Sequence, residues 1–185
     1  MPRLILLNGA PGIGKTTIAR LLAERTPFTL AFSIDDLKHS LGRWADDPSR
    51  AKAHARMLGV VLIREQLAMG QDVILAQYIV RPGFIDELAS DAADLGASFH
   101  EITLTLPPQA LATRIAERLG NPRKDSLELN NRMVVPADAP DLTASITTLL
   151  LRRPRAERID ASGTVEETLA RVVQIFELPG DDDEG

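Results

Sequence analysis

The chain has 185 residues, 44% of them hydrophobic and 25% charged, a composition that supports a hydrophobic core and excludes disordered, collagen-like and coiled-coil chains. The net charge is −5, and Asp181, Asp182, Asp183 and Glu184 carry −4 of it. The remaining body is near neutral and gives no bulk electrostatic case for nucleic acid, although a local basic patch is compatible with it. Cysteine is absent and the three His are scattered, which removes disulfides, thiolate chemistry and Cys/His zinc sites.

In chain order, the apolar run Leu4–Leu7 reads as a short buried strand. It is too short for a signal-peptide core and stops at once on Gly and Pro. No apolar run approaches the ~18 residues of a membrane span, so the expectation is a cytoplasmic protein with no membrane partner. Ile18, Leu21 and Leu22 recur at helical spacing within 16–24. The segment 28–34 reads as a second strand. A helix follows over 51–69, closed by Gly70, then a third strand from Val73 to Leu75, extended toward Ile79. Helix 83–95 precedes a fourth strand over 99–106, and Pro108 opens a helix to Leu119.

The stretch 120–139 lacks periodicity and carries Asn121-Pro122, Asn130-Asn131 and Pro136, which predicts a mobile insertion. Helix then resumes over 141–151 with Asp141 as N-cap, and 155–159 is a fifth strand. Thr164 and Glu167 form a capping box for a last helix to Leu178. The alternation predicts one α/β domain over 1–179, a five-stranded parallel sheet with helices on both faces, followed by a disordered acidic tail at 180–185. Ligands of such sheets bind beyond the carboxyl ends of the strands.

At that end of the first strand stands Gly9-Ala10-Pro11-Gly12-Ile13-Gly14-Lys15-Thr16, which fits Gly-x-x-x-x-Gly-Lys-Ser/Thr between a strand and an amphipathic helix. Its glycines let backbone N–H groups turn inward around an anion, and the following helix adds its positive end. Lys15 can reach the outer phosphates of ATP and the Thr16 hydroxyl suits Mg²⁺. Thr17 follows as a further nucleotide-binding candidate.

This loop resembles the Walker A loop of P-loop NTPases, and in length and setting it is most similar to the small P-loop kinases. These include adenylate, shikimate and gluconate kinases, chloramphenicol phosphotransferase and zeta-toxin-like kinases. The resemblance implies a three-layer P-loop fold with a lid, an ATP and Mg²⁺ requirement, and a carboxylate at the end of the second strand facing the acceptor hydroxyl. That carboxylate is Asp35 in Ser33-Ile34-Asp35-Asp36-Leu37, with a second role at the metal. Both aspartates also fit a plain helix start, with Asp36 as a cap for a helix over 37–41.

Relatives often end the third strand on Asp, whereas this chain has Gln77, which brings no charge to a metal shell. The resemblance also implies an acceptor-binding role for Arg81 and a phosphoryl clamp from Arg114 and Arg118, which are four apart on one helix face. Arg123 and Arg132 are further clamp candidates, and Gly163 is a position against the nucleotide base. Acceptor contacts are expected from Arg43, Trp44, Gln77 and Tyr78. The bland alternatives for these residues are a solvated charged face, a loop anchor and a helix cap.

Three functions follow from these residues. One is a kinase phosphorylating a hydroxyl of a small molecule such as an antibiotic, nucleoside or sugar. Another is a nucleic-acid end kinase. The last is a regulatory nucleotide-binding protein with no acceptor. Oligomeric state is open between monomer and homodimer, and pocket shape, which no motif reports, decides the acceptor.

Overall fold

The computed structural model describes residues 1–120 and 134–177. Five strands, β1 (Arg3–Asn8), β2 (Leu30–Phe32), β3 (Val73–Ala76), β4 (Ser98–Thr105) and β5 (Glu157–Asp160), form one sheet in the order β2-β3-β1-β4-β5. Every pairing is parallel. The helices are α1 (Lys15–Ala23), α2 (Ile34–Ser40), α3 (Pro48–Ala68), α4 (Pro82–Asp94), α5 (Pro108–Leu119), α6 (Ala139–Arg152) and α7 (Val165–Glu177).

Alternation along the strands divides the core in two. Ile5 and Leu7 of β1 and Ile102 and Leu104 of β4 face α1, α5 and α7 through Ile18, Leu111, Ile115 and Val172. Leu4 and Leu6 of β1 and Val73 and Leu75 of β3 face α3 and α4 through Ala55, Ile63, Phe84 and Leu88. Because β1 and β3 are apolar on both faces, helices must cover both, and the three-layer α/β fold follows.

Several boundaries differ from the periodicity reading. β2 covers only 30–32, because Phe28 sits at φ 63° and Ser33 leaves the strand to become the N-cap of α2, accepting a hydrogen bond from the Asp36 backbone N. α2 therefore begins at Ile34, and Asp36 lies within its first turn rather than capping a helix from Leu37. α3 starts at Pro48 under Asp47, whose carboxylate accepts from the Arg50 N. Asp141 is not the cap of α6: that helix already begins at Ala139, and Asp141 sits in its first turn. The Thr164–Glu167 capping box forms as expected, with Thr164 N donating to Glu167 Oε2 (2.9 Å) and Glu167 N donating to Thr164 Oγ1 (3.2 Å). Of the expected insertion over 120–139, residues 121–133 lie outside the described residues, as do Arg123, Arg132 and the acidic tail; Pro136–Asp138 forms a single 3₁₀ turn.

Candidate active site

The loop 9–14 crosses from the carboxyl end of β1 to the amino end of α1, at the centre of the sheet. Gly9, Gly12 and Gly14 all take positive φ (145°, 91° and 106°), which L side chains rarely adopt. Two of them also lack room for a Cβ: at Gly9 it would fall 2.9 Å from the Leu104 carbonyl oxygen, and at Gly12 it would fall 2.9 Å from Cγ1 of Ile115. The cradle is thus shaped by backbone conformation and by close contact with β4 and α5. Asn8, fully buried, fixes where it starts: its carbonyl oxygen accepts from Gly9 N (2.8 Å) and Ile79 N (3.0 Å), and its amide donates to the Ile79 carbonyl (2.8 Å). This one side chain ties the phosphate loop to the segment that follows β3.

Lys15 opens α1, and its ammonium donates to the Ala10 carbonyl (3.0 Å). Its pKa is lowered from 10.5 to about 7. Loss of solvent around the ammonium is the main cause, the nearby Asp35 carboxylate opposes it, and the Arg118 guanidinium adds to it. One lysine therefore feels the α2 acid and the α5 arginine together. Thr16 is half-buried beside it and Thr17 is exposed.

Asp35, in the first turn of α2, is held from two sides. Gln77, buried just past β3, donates its amide nitrogen to Asp35 Oδ2 (2.9 Å), while its amide oxygen accepts from Ile34 N (2.8 Å). The two bonds fix the amide's orientation, since only the oxygen can accept from a backbone N–H. On the other side the buried Lys38 ammonium lies 3.8 Å from Asp35 Oδ1 and 5.0 Å from the Trp44 ring centroid. Desolvation lowers the Lys38 pKa, Asp35 counteracts that, and Lys52 reinforces it. Trp44 also packs edge-on against His39, with ring centroids 4.7 Å apart. Asp35, Gln77, Lys38 and Trp44 form one cluster beside the cradle.

A cavity of about 430 Å³ adjoins the cradle on its α5 side and is lined by Gly12, Ile13, Gly14, Thr17, Arg114, Arg118, Gly163, Thr164 and Thr168, among others. Arg114 spans its floor: Nη1 donates to the Ile13 carbonyl (3.0 Å), and Nη2 donates to the carbonyls of Ala161 (2.6 Å) and Gly163 (3.0 Å). Arg118 projects over the cradle, its Nη1 3.7 Å from where a Gly12 Cβ would stand. In the turn after β5, Ser162 donates both its N (2.9 Å) and its Oγ (2.6 Å) to Asp160 Oδ1, which holds the Asp160 carboxyl below its usual range.

The structure redistributes several of the sequence candidates. Arg114 braces main-chain segments through three carbonyl acceptors, whereas Arg118 lies over the cradle beside Gly12. Gly163 lines the cavity, but its missing side chain leaves space that the Glu167 carboxylate of the capping box occupies. Gln77 engages both amide heteroatoms, the oxygen with Ile34 N and the nitrogen with Asp35, and so orients the acid. Tyr78 turns away and packs against Ile146, Leu150 and Ala156. Arg43 is exposed and ion-paired to Asp46 (2.6 Å), and Arg81 is exposed at the start of α4. Residue-type patterns missed Asn8 and Lys38. Their roles depend on contacts across the sheet and across one helical turn, and the only local hint is a polar residue at the end of an apolar strand, followed by Gly9.

The residues that would hold Mg²⁺ are Thr16, through its hydroxyl, and Asp35, through its carboxylate. No cluster of three or more His, Cys, Asp or Glu stands among the described residues. That sparse set fits a cation that keeps most of its ligands as water and phosphate oxygen.

A family model described as an AAA domain matches residues 4–134. Among solved structures, the chain is similar to a gluconokinase from Sinorhizobium meliloti 1021 (18% identity, TM-score 0.56, covering 95% of this chain and 96% of that one). It is similar to the tunicamycin resistance protein of Deinococcus radiodurans (20% identity, TM-score 0.56, 97% and 98%). It also resembles a chain of the Pnkp1/Rnl/Hen1 RNA repair complex (17% identity, TM-score 0.63, 82% and 46%). No curated protein matches it in sequence. At these identities the structural likeness is one of fold, and together with the family match and the cradle geometry it has one meaning: the chain belongs to the AAA domain family, on the fold of the small P-loop kinases.

Proposed function

We propose that this protein is a kinase that moves the γ-phosphoryl group of ATP to a hydroxyl of a small molecule. The observation that carries the reading is the placement of Asp35. Its carboxylate is oriented by Gln77, faces Lys38, and lies close enough to Lys15 to act on that lysine's ionisation. A protein that only binds nucleotide has no need of an acid set so firmly on the far side of the phosphate lysine.

In this reading the loop amides and Lys15 hold the β- and γ-phosphates, and Arg118 neutralises charge growing on the transferring group. Asp35 Oδ2 is committed to the Gln77 amide, so Oδ1 accepts the hydroxyl proton of the acceptor and aims its oxygen at phosphorus. Mg²⁺, held by Thr16 and Asp35 together with phosphate oxygens, would supply further charge neutralisation. Trp44 gives the acceptor side an apolar wall. A small, compact acceptor fits the near-neutral body, and the S. meliloti gluconokinase that shares this fold bears a name of that kind.

A second reading, a nucleic-acid end kinase, is favoured by one observation, the likeness to a chain of an RNA repair complex. One experiment separates the two. The purified protein is incubated with γ-labelled ATP and Mg²⁺, together with a panel of sugars, nucleosides and aminoglycoside- or phenicol-type antibiotics, and in parallel with 5′-hydroxyl oligonucleotides. Products are identified by mass spectrometry. Label in a small molecule that is lost in Asp35→Asn, with ATP binding retained, is the expected result. Label only in oligonucleotides would replace the first reading with the second, and unchanged turnover in Asp35→Asn would remove Asp35 from the reaction.

A further inference from the structure

α3 is the longest helix, 21 residues, and its two faces differ in what they meet. Ala51, Ala55, Gly59, Ile63 and Leu67 are buried at regular four-residue spacing. The opposite face carries Met57, Leu58, Val61 and Leu62, exposed by 63%, 38%, 55% and 40%, between His54 and Glu65, which are also exposed. Positions 54, 58, 61 and 65 follow alternating spacings of four, three and four, the seam of an antiparallel helix pair, with 57 and 62 on its two flanks. No described side chain is needed to explain this apolar stripe from within the fold.

A further exposed apolar side chain is tied to α3. Phe28 is 83% exposed and holds φ 63°, a genuine outlier for a bulky residue. Its carbonyl accepts a hydrogen bond from the Gln66 side chain of α3 (2.6 Å). An aromatic ring is thus displayed to solvent in a costly backbone conformation, its main chain fastened to α3 at Gln66.

The charges indicate what covers it. Arg56 and Arg64 of α3 are paired within the chain, to Glu87 and Asp91 of α4. His54 and Glu65 have no ion-pair partner among the described residues, and they set an imidazole and a carboxylate, complementary as hydrogen-bonding groups, at the two ends of the apolar segment. We infer that the occupant is a second copy of this chain, with α3 packed antiparallel on the partner's α3 about a twofold axis. Leu58 then meets the partner's Val61, and His54 meets the partner's Glu65, each contact made twice as an isologous interface requires. Met57 and Leu62 close the two sides. A parallel pairing is disfavoured by the same residues, since it would set Glu65 against the partner's Glu65. The surface is independent of the proposed reaction and lies on the back of the helix that supports α2.

Sedimentation equilibrium of the full chain tests this. The expected result is a mass of twice 20.2 kDa at micromolar concentration. Val61→Asp is expected to give a monomer with unaltered circular dichroism and melting, because Val61 is exposed. His54→Glu is expected to raise the dissociation constant at least tenfold, and adding Glu65→Lys to it is expected to restore most of the loss. A monomeric parent chain at 100 µM would overturn the inference, whether the face is bare or covered by another part of the chain. So would a Val61→Asp protein that remains dimeric, since the copies would then meet elsewhere.

Discussion

Nucleotide affinity should fall as pH rises above neutrality, and Lys15 sets the size of the effect. In the free protein its pKa is about 7, held there by desolvation and Arg118 against the pull of Asp35. A bound polyphosphate places several negative charges beside the ammonium and restores its proton affinity, so binding captures a proton wherever free Lys15 is neutral. Between pH 7.5 and 8.5 the protonated fraction of a group of pKa ~7 falls from about a quarter to about 3%, which weakens binding about eightfold, or ~1.2 kcal/mol at ~1.36 kcal/mol per tenfold. The terminal phosphate's own second ionisation, at pKa ~6, is nearly complete in this window and does not mask the trend.

Titration calorimetry of MgADP in buffers of different ionisation enthalpy reads both quantities: the affinity, and an uptake of about 0.9 proton at pH 8. Lys15→Met should bind more weakly and lose the pH dependence. Folding follows the opposite trend. Because the folded-state pKa lies below the unfolded 10.5, the unfolded chain binds more protons between the two values, and this lysine's penalty on folding shrinks as pH rises from 7 toward 10.5. A change in MgADP affinity of less than twofold over pH 7.5–8.5, or no proton uptake, would refute the electrostatic account of the cradle.

Gln77→Leu should lower kcat by about 10–100-fold with little change in ATP affinity, because it releases Asp35 Oδ2 and leaves the cradle intact; equal losses in both would assign Gln77 to the nucleotide instead. Arg114→Ala should weaken nucleotide binding and lower Tm together, since three carbonyls lose their donor; differential scanning calorimetry with and without MgADP separates the two losses. Asn8→Ala should cost about 2–4 kcal/mol in urea unfolding, because it strands buried Gly9 and Ile79 backbone groups.

The cradle was legible in the sequence because its geometry is local: eight contiguous residues, a strand before and a helix after. The sheet was legible for a similar reason, since β1 and β3 are apolar on both faces. The contacts that assemble the site were not. Gln77 reaches Asp35 only because β2 and β3 pair with Phe32 opposite Leu75, a register that no local pattern reports. Tyr78 is adjacent to Gln77 in sequence but points to the other side of the sheet. The spacing of Arg114 and Arg118 correctly predicts a shared helix face. It says nothing of three carbonyls contributed by two distant turns, and these separate a brace from a clamp.

That brace has an evolutionary corollary. Each acceptor of the Arg114 guanidinium is a main-chain oxygen, on Ile13, Ala161 and Gly163. An exposed side chain at the rim of the adjoining cavity, such as Val165, can therefore be exchanged without removing any acceptor of that tether. Under the proposed function, donor selectivity can then drift by point mutation at that rim, while the cradle over residues 9–14 stays as it is.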